Sequence, residues 1–488
     1  MTFITSTYEM HVKNHPEKIA VYTENEAINY RDWQERIHKT ANWLTGIVGK
    51  GGKVGILLPN GIPFLQLFAG ASAAGLIAVP LDMKWKRSEL EQRLALAKPS
   101  IVMTTKALAQ RYRLSHDEVL IWEEVAEDIL DAESVMQAQA DEKTLFYMGF
   151  TSGTTGVPKA FVRHHQSWIK SFSSSRNNLG LSGTDHVLIP GALVHSHFLY
   201  GAICTLYLGG TVYLQPTFSP RNVLDWMQRL PITVIYTVPT MNEAIAAQSI
   251  QMKRPIKIIS SGAKWNEASK NKIREQFPNM TMYEFYGASE LSFVTYSHDT
   301  WNQEKPMSVG KACDGVRLEI RDANGNEVKN GMIGKIYVKS PLLFAGYVQP
   351  NTDILQTLQD QDGWVTVDDL GYLDDEGFLY LVGREKNMII CGGENVYPEE
   401  VEAVLLSHPD ITEAAVIGVE NRYWGQVPVA FIQGDVSKCE LRKLCRDQLS
   451  TFKVPKKWHF VEEFDYTTSG KIARHALEKL LPAEVGQH

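Results

Sequence analysis

The chain has 488 residues, 44% of them hydrophobic and 22% charged, with 49 Lys plus Arg against 56 Asp plus Glu and a formal net charge of -7. That is the composition of a folded globular protein with length for about three compact units, and it excludes a disordered chain, a basic nucleic-acid-binding surface and a polybasic membrane signal. Cys204, Cys313, Cys391, Cys439 and Cys445 show no C-x-x-C spacing, which fits the reduced thiols of a cytoplasmic protein better than a disulfide framework or a zinc site.

The N-terminal stretch MTFITSTYEMHVKNHPEK is polar and charged where a signal peptide needs an apolar core, so no targeting segment is expected. From there to about residue 145, amphipathic helical patterns alternate with short apolar runs. Asn29-Tyr30-Arg31-Asp32 leads into a helical stretch through Trp43, and Gly51-Gly52 separates it from a strand at 54–58. The apolar run 67–81 is shorter than the roughly 20 residues a membrane span needs, and reads as a packed helix leading into a buried strand. The alternation continues through VLIPGAL, TVIYTVP and IKIISSG, which predicts an α/β protein of mostly parallel sheets with helices on their faces. Between 310 and 383, VRLEIRDANGNEV, GKIYVKS and GFLYLVG predict a small antiparallel, barrel-like region. Beyond Arg384 lies a further unit with its own core pattern. Pro398 sits at a helix start with Glu399 and Glu400 in the first turn, Val401, Val404 and Leu405 form an apolar face, and Ser437 to Glu440 spells a capping box. The expected division is a large body, residues 1–385, and a small α+β domain, residues 386–488.

The strongest local signal is TSGTTGVPK, from Thr151 to Lys159. Ser152, Gly153, Thr154, Thr155 and Gly156 crowd hydroxyls and pliant backbone into one loop, which can turn N–H and O–H groups toward a phosphate, with Lys159 adding positive charge. The order is not the Walker sequence, which needs GK[ST]. A polar connector is the ordinary reading of such a loop, and the nine-residue pattern as a whole favours the phosphate.

FTSGTTGVPKA resembles the signature loop of the adenylate-forming superfamily, which includes acyl-CoA synthetases, adenylation domains of peptide synthetases and beetle luciferases. The resemblance continues in order through YGASE at 286–290, GWVTVDDLG at 363–371, LVGREKN at 381–387, GGENVYPEEVE at 392–402 and TTSGKIAR at 467–474, and so covers most of the chain. EFYGASELSF and PGALVHSHFLY also resemble a Gram-positive subgroup labelled fatty-acid–CoA ligase. The resemblance implies a two-step reaction. A carboxylate attacks the ATP α-phosphate to give an acyl-adenylate and pyrophosphate, and a thiol, normally that of CoA, then displaces AMP.

Residue by residue, the resemblance implies that the loop from Thr151 to Lys159 holds the β,γ-phosphates, with Thr155 close to the chemistry, and that Glu290 helps hold Mg²⁺, a hard cation suited to carboxylate and phosphate oxygens. Tyr286 stacks on adenine, Gly287 and Ser289 belong to the same motif, and Ser261, Gly262 and Ala263 line the base and the acyl pocket. Asp369 accepts from both ribose hydroxyls and Arg384 assists. Here the chain departs from the family's T-G-D, reading Val367-Asp368-Asp369, and two adjacent carboxylates leave the ribose ligand ambiguous, with spacing favouring Asp369. Lys471, after Gly470, is the expected adenylation lysine. Lys386 is the expected hinge, about which the small domain rotates between half-reactions, and Gly392-Gly393-Glu394 the passage for the CoA arm. His195 matches an aromatic or histidine gate between the ATP and acid pockets. His195 and His197 form an H-x-H pair, but no third metal ligand stands at suitable spacing. His164 and His165 read as helix-surface residues.

The leading expectation is an AMP-forming acid–thiol ligase that uses Mg²⁺, ATP and CoA. Phe198, Tyr236, Val238, Trp265, Leu291 and Phe293 in the expected pocket segments favour an apolar acid, and the subgroup points to a fatty acid. Alternatives are an aryl-acid–CoA ligase, a freestanding enzyme that loads a carrier protein's phosphopantetheine, and a nucleotide-binding protein that has lost catalysis. No nucleic-acid partner and no membrane span are expected, and the oligomeric state stays open.

Overall fold

In the computed structural model, which describes residues 2–114, 118–135, 140–151, 158–262, 265, 267–349, 354–466 and 472–481, the alternating strands and helices form two compact units. The first is Met1–Arg317 with Val338–Val365, and the second is Leu318–Tyr337 with Thr366–His488.

Local sequence explains the first unit's helices. Asn29 caps Tyr30–Ile47 by accepting from Asp32 N, as an amide side chain does at the orphaned first-turn donors. Helix Ile62–Ala73 is apolar on every side and buried along nearly its whole length. It lies close against Tyr30–Ile47 because Gly70 has no side chain: a Cβ there would stand 2.5 Å from Thr40 Cγ2. Each large apolar side chain buried in this way contributes about 1.5–3 kcal/mol.

Two sheets organise this unit. The nine-stranded sheet runs in the order Lys311–Ala312, Ser292–His298, Met280–Ala288, Ile256–Ser261, Val234–Thr237, His186–Ile189, Thr211–Leu214, Ile19–Tyr22 and Ala27–Asn29. Its interior pairs, from Met280–Ala288 through Ile19–Tyr22, are parallel, and both edges are antiparallel. The eight-stranded sheet runs Leu355–Gln356, Gly346–Val348, Lys159–His164, Leu145–Thr151, Ile77–Pro80, Lys53–Leu57, Ile101–Thr104 and Val119–Ile121. Part of the stretch expected to be a separate antiparallel region therefore belongs here. Gly346–Val348 pairs with Lys159–His164, placing Tyr347 opposite Phe161.

Two expectations change. His165 is not a helix-surface residue. It is fully buried, its ring stacks on Phe146 with centroids 4.6 Å apart, and its Nδ1 accepts from the Ile4 backbone N–H at 3.3 Å. Burial, only partly opposed by the Ser72 backbone and the Asp141 carboxylate, lowers its pKa to about 3, so it is neutral. Trp265 is core: it packs with Ile245, Ile273, Phe277 and Met282, and its indole N–H donates to Ser269 Oγ.

In the second unit, Arg317–Arg321, Gly334–Lys339, Asp369–Leu373 and Leu379–Arg384 form a four-stranded sheet. Glu394–Val396, Ile389–Cys391, Gly425–Gly434 and Ile411–Asn421 form another, with Lys457–Phe460 added in parallel beside Gly425–Gly434. Helices Pro398–Leu405 and Lys438–Gln448 close its core through Val401, Leu405, Leu441 and Cys445. The Ser437–Glu440 capping box is formed reciprocally, and Pro398 occupies the first turn. Among the described residues, no helix is long and apolar enough to cross a membrane.

Candidate active site

The carboxyl ends of parallel strands are where open α/β sheets leave room for ligands. In the first unit, Ile256–Ser261 and Met280–Ala288 carry Ser261, Gly262, Tyr286 and Gly287 to that end. Ser261 lies in register with Phe285 and donates its Oγ hydrogen to the Phe285 carbonyl at 3.1 Å. Gly262 has φ +101, in the range that disfavours a side chain, and a Cβ on Gly287 would lie 2.0 Å from the Ser292 carbonyl. Ala263 lies outside the described residues.

Thr151 and Lys159 face each other as the last and first residues of an antiparallel pair. Between them, Ser152, Gly153, Thr154, Thr155 and Gly156 lie outside the described residues. Lys159, Phe161 and Arg163 share one face of their strand by the two-residue alternation, and Tyr347 stands opposite Phe161 on the neighbouring strand. The Lys159 ammonium lies 5.2 Å from the centre of the Tyr347 ring, within cation–π range. The Tyr347 hydroxyl donates to Glu290 Oε1. Arg163, 3% exposed, donates to the carbonyls of Ser289 at 2.7 Å and Leu342 at 2.9 Å, and the Phe344 N–H donates to the Glu290 carbonyl at 2.9 Å. Burial lowers the guanidinium pKa to about 10, opposed in part by the neighbouring Tyr147 and Glu290, so it stays cationic at neutral pH. Ser289 and Glu290 are thus held by three hydrogen bonds from two segments, the strand of Arg163 and the stretch from Phe344 to Tyr347.

His195 is the N-cap residue of helix Ser196–Leu208, and its pKa is lowered by burial, opposed by Asp82. The loop before it hangs on Asn60, which accepts from Leu193 N and donates to the carbonyls of Gly191 and Gln215. His197 is buried among Phe198, Tyr236 and Phe285, and its Nε2 donates to the Thr237 carbonyl at 2.8 Å. Burial lowers its pKa to about 4, so its Nδ1, which has no hydrogen-bond partner among the described residues, is a bare acceptor.

In the second unit, Asp369 and Arg384 are register partners at facing strand ends, joined by Arg384 Nε donating to Asp369 Oδ1 at 2.8 Å. This separates the adjacent carboxylates: Asp369 is 7% exposed, whereas the Asp368 side chain is exposed and directed to Lys335 at 3.3 Å. Asp368 has φ +63, which accounts for a glycine being the usual residue in this motif, since aspartate tolerates that region better than most side chains. Lys386 lies in the 3-10 turn Glu385–Asn387, where Asn387 donates to Glu399. Gly392 and Gly393, with φ of +62 and +88, are the two-residue turn of the hairpin that pairs Cys391 with Glu394. They border an open depression of about 590 Å³ together with Ile390, Glu420, Tyr423 and Trp424. Lys471 lies outside the described residues. Its flanks are tied down: Tyr466 bridges Ile472, Ala473 N donates to Asp465 O, and Arg474 Nη2 reaches both oxygens of Glu402 at 2.5 and 2.6 Å.

No group of three or more metal-binding side chains stands together among the described residues. Glu290 supplies one carboxylate, one of whose oxygens is taken by Tyr347. That donor set fits a small, hard cation that takes its other ligands from phosphates and water, and fits zinc poorly. Asn60, Arg163 and Tyr347, which hold candidate site residues in place, are the ones motif reading missed; His197 it named only as half of an H-x-H pair. Only Arg163 left a trace in the sequence, as a charge within the apolar strand KAFVRH.

The family model described as AMP-binding enzyme matches residues 8–348, and that described as AMP-binding enzyme C-terminal domain matches residues 400–471. The chain is 45% identical to the uncharacterized acyl–CoA ligase YhfT of Bacillus subtilis (strain 168), over 99% of both chains. It is 30% identical to the 2-succinylbenzoate–CoA ligase of Bacillus licheniformis, over 95% of this chain and 97% of that one. Among solved structures, o-succinylbenzoate CoA synthetase (MenE) from Bacillus subtilis with the acyl-adenylate OSB-AMP matches with a TM-score of 0.89 at 28% identity, over 98% of this chain and 99% of the other. The same synthetase solved with ATP and magnesium ion matches with a TM-score of 0.86 at 28% identity, over 96% and 98%.

Proposed function

This chain belongs to the AMP-binding enzyme family, and we propose that it joins an apolar carboxylic acid to CoA at the expense of ATP, by way of an acyl-adenylate. In the first half-reaction a carboxylate oxygen attacks the α-phosphorus of ATP, the bond to the bridging oxygen breaks, and pyrophosphate leaves. In the second, the CoA sulfur attacks the acyl carbon and AMP leaves with the carboxyl oxygen.

The observation that carries this reading is the cluster of Lys159, Arg163, Glu290 and Tyr347, which places a cation at the end of the phosphate loop and a carboxylate on one tyrosine. In this reading the loop from Thr151 to Lys159, with Thr155, binds the β,γ-phosphates, and Tyr286, Gly287, Ser261, Gly262 and Ala263 flank the adenine. Asp369 and Arg384 take the ribose, an assignment supported by their pairing and by the turning away of Asp368. Mg²⁺ at Glu290 supplies charge neutralisation for the phosphates. Lys471 stabilises the negative charge that develops between acid and α-phosphate. Lys386 serves as hinge for residues 386–488, and Gly392, Gly393 and Glu394 admit the thiol arm. His195 stands between nucleotide and acid as the neutral gate.

An apolar acid suits this reading because His197, Phe198, Tyr236, Phe285 and Phe293 pack ring against ring near the strand ends. A fatty acid suits the subgroup resemblance, and an aryl acid is the second reading, favoured by the 2-succinylbenzoate–CoA ligase relative. Incubation with ATP, Mg²⁺ and a panel of C2–C18 and aryl acids, with CoA or a holo-carrier protein as acceptor, tests the proposal. Equal amounts of acyl-CoA and AMP are expected. Thioester formed on the carrier alone contradicts the acceptor, and a preference for amino acids contradicts the pocket.

A further inference from the structure

Glu290 lies in the turn between Met280–Ala288 and Ser292–His298, and the elements that hold it come from distant parts of the first unit. Arg163, on the strand that follows the phosphate loop, fixes the Ser289 carbonyl and also the Leu342 carbonyl, so one buried guanidinium ties the Glu290 turn to the segment that leads into Tyr347. Phe344 N–H fixes the Glu290 carbonyl from that same segment. With the backbone pinned on both sides, the Tyr347 hydroxyl reaches the carboxylate itself and donates to Oε1. The ring of the same tyrosine carries the Lys159 ammonium against its face, 5.2 Å from the centroid.

We propose that Tyr347 is a positioning residue for the metal–nucleotide complex: its hydroxyl orients Glu290 so that the second carboxylate oxygen is presented to a divalent cation, and its ring keeps the Lys159 ammonium beside the carboxylate without pairing with it. The proposal rests on the reading of Glu290 as the metal carboxylate. The chemistry favours a phenol in this place. A lysine or arginine donating to Glu290 would neutralise it and compete with the cation, whereas a neutral hydroxyl donates one hydrogen bond and leaves the negative charge in place. The quadrupole of the ring attracts the ammonium to its face, so Lys159 has a resting position other than an ion pair with Glu290. Arg163 acts one step further back, on backbone carbonyls, and sets where the turn stands.

The test measures cation binding directly, with Mn²⁺ as the paramagnetic probe and ATP present, by water-proton relaxation, alongside the Mg²⁺ dependence of pyrophosphate exchange. Tyr347→Phe keeps the ring and the strand pairing and removes only the hydroxyl. It is expected to melt as the wild type does, to weaken ATP-dependent Mn²⁺ binding about tenfold, as loss of a hydrogen bond to a charged group predicts, and to shift the Mg²⁺ dependence by a similar factor. Tyr347→Leu, which also removes the ring, is expected to weaken ATP binding further. Because the hydroxyl acts through Glu290, adding Tyr347→Phe to Glu290→Gln is expected to change Mn²⁺ binding less than twofold. Unchanged Mn²⁺ affinity in a well-folded Tyr347→Phe, or a full tenfold loss on top of Glu290→Gln, overturns the proposal while the functional reading stands. A wild type that binds no Mn²⁺ in the presence of ATP overturns both.

Discussion

Replacing Arg474 by Met removes the cation that holds the segment next to Lys471. In the native unit Arg474 contacts both oxygens of Glu402, and Val416 N–H donates to the same carboxylate at 2.7 Å. The Glu402 side chain is 12% exposed and that of Arg474 28%. Removing one partner from a buried pair costs about 3–5 kcal/mol because the other charge is left unpaired, and the partial exposure of Arg474 places this pair near about 2–3 kcal/mol. At tenfold per about 1.4 kcal/mol, amide hydrogen exchange in Pro398–Leu405 and Ile411–Asn421 should quicken roughly 30- to 140-fold, while the sheets of the first unit keep their rates. The loss should also depend on pH in a definite direction. Burial already raises the Glu402 pKa, against the opposing pull of Arg474. An acid whose pKa is raised on folding binds more protons when folded, so its contribution is present below the unfolded pKa and is lost as pH rises through the folded one. Without Arg474 that window widens, and the deficit should shrink from pH 8 toward pH 5. Glu402→Gln in the Arg474→Met background should restore part of the stability. An unchanged exchange rate at Val416, or a deficit that grows on acidification, would refute the pairing as the anchor.

Acidification should weaken the first unit through His165 and His197, whose pKa values burial lowers to about 3 and about 4. A histidine whose pKa falls on folding binds fewer protons when folded, so stability declines as pH drops below about 6.5, by up to about 1.4 kcal/mol per pH unit for each. Denaturant titrations between pH 7 and 4.5 check this, with His165→Phe expected to make the slope shallower. Gly392→Ala places a Cβ 2.7 Å from Trp424 Cε3 at φ +62. It should slow thioester formation more than tenfold, or over about 1.4 kcal/mol in barrier, and leave pyrophosphate exchange within twofold, a split readable in one preparation. Asp368→Val puts a β-branched residue at φ +63, and should cost about 1–2 kcal/mol in thermal unfolding where Asp368→Gly costs none.

Features written in short-range chemistry were legible in advance. The Ser437–Glu440 box, Pro398 at its helix start and the helix-then-strand reading of 67–81 all depend on neighbours within a few residues. The motifs likewise marked Glu290, Tyr286, Asp369 and Arg384 as candidates. What stayed hidden depends on partners far apart in the chain. Arg163 meets a carbonyl 126 residues away and Tyr347 a carboxylate 57 residues away, and neither position carries a periodic signal. His165 looked exposed because its helix is polar in composition, yet it lies on Phe146 and accepts from the backbone N–H of Ile4 in the N-terminal turn. Trp265 followed Ser261-Gly262 in sequence and so could be read as pocket wall or as core, and the structure packs its indole in the core. The difference between Asp368 and Asp369 was likewise hidden, because it lies in the backbone: one residue is in left-handed conformation with its side chain exposed, and the next is in the strand beside Arg384.

The claim that this chain activates a carboxylic acid as its adenylate is tested most directly by acid-dependent exchange of labelled pyrophosphate into ATP, run on the wild type and on Lys471→Ala. The account predicts that at least one acid of the C2–C18 and aryl panel drives exchange in the wild type, that Mg²⁺ is required, and that Lys471→Ala reduces the rate by several orders of magnitude. If no acid raises wild-type exchange above the Lys471→Ala level, adenylate formation is not what this chain does.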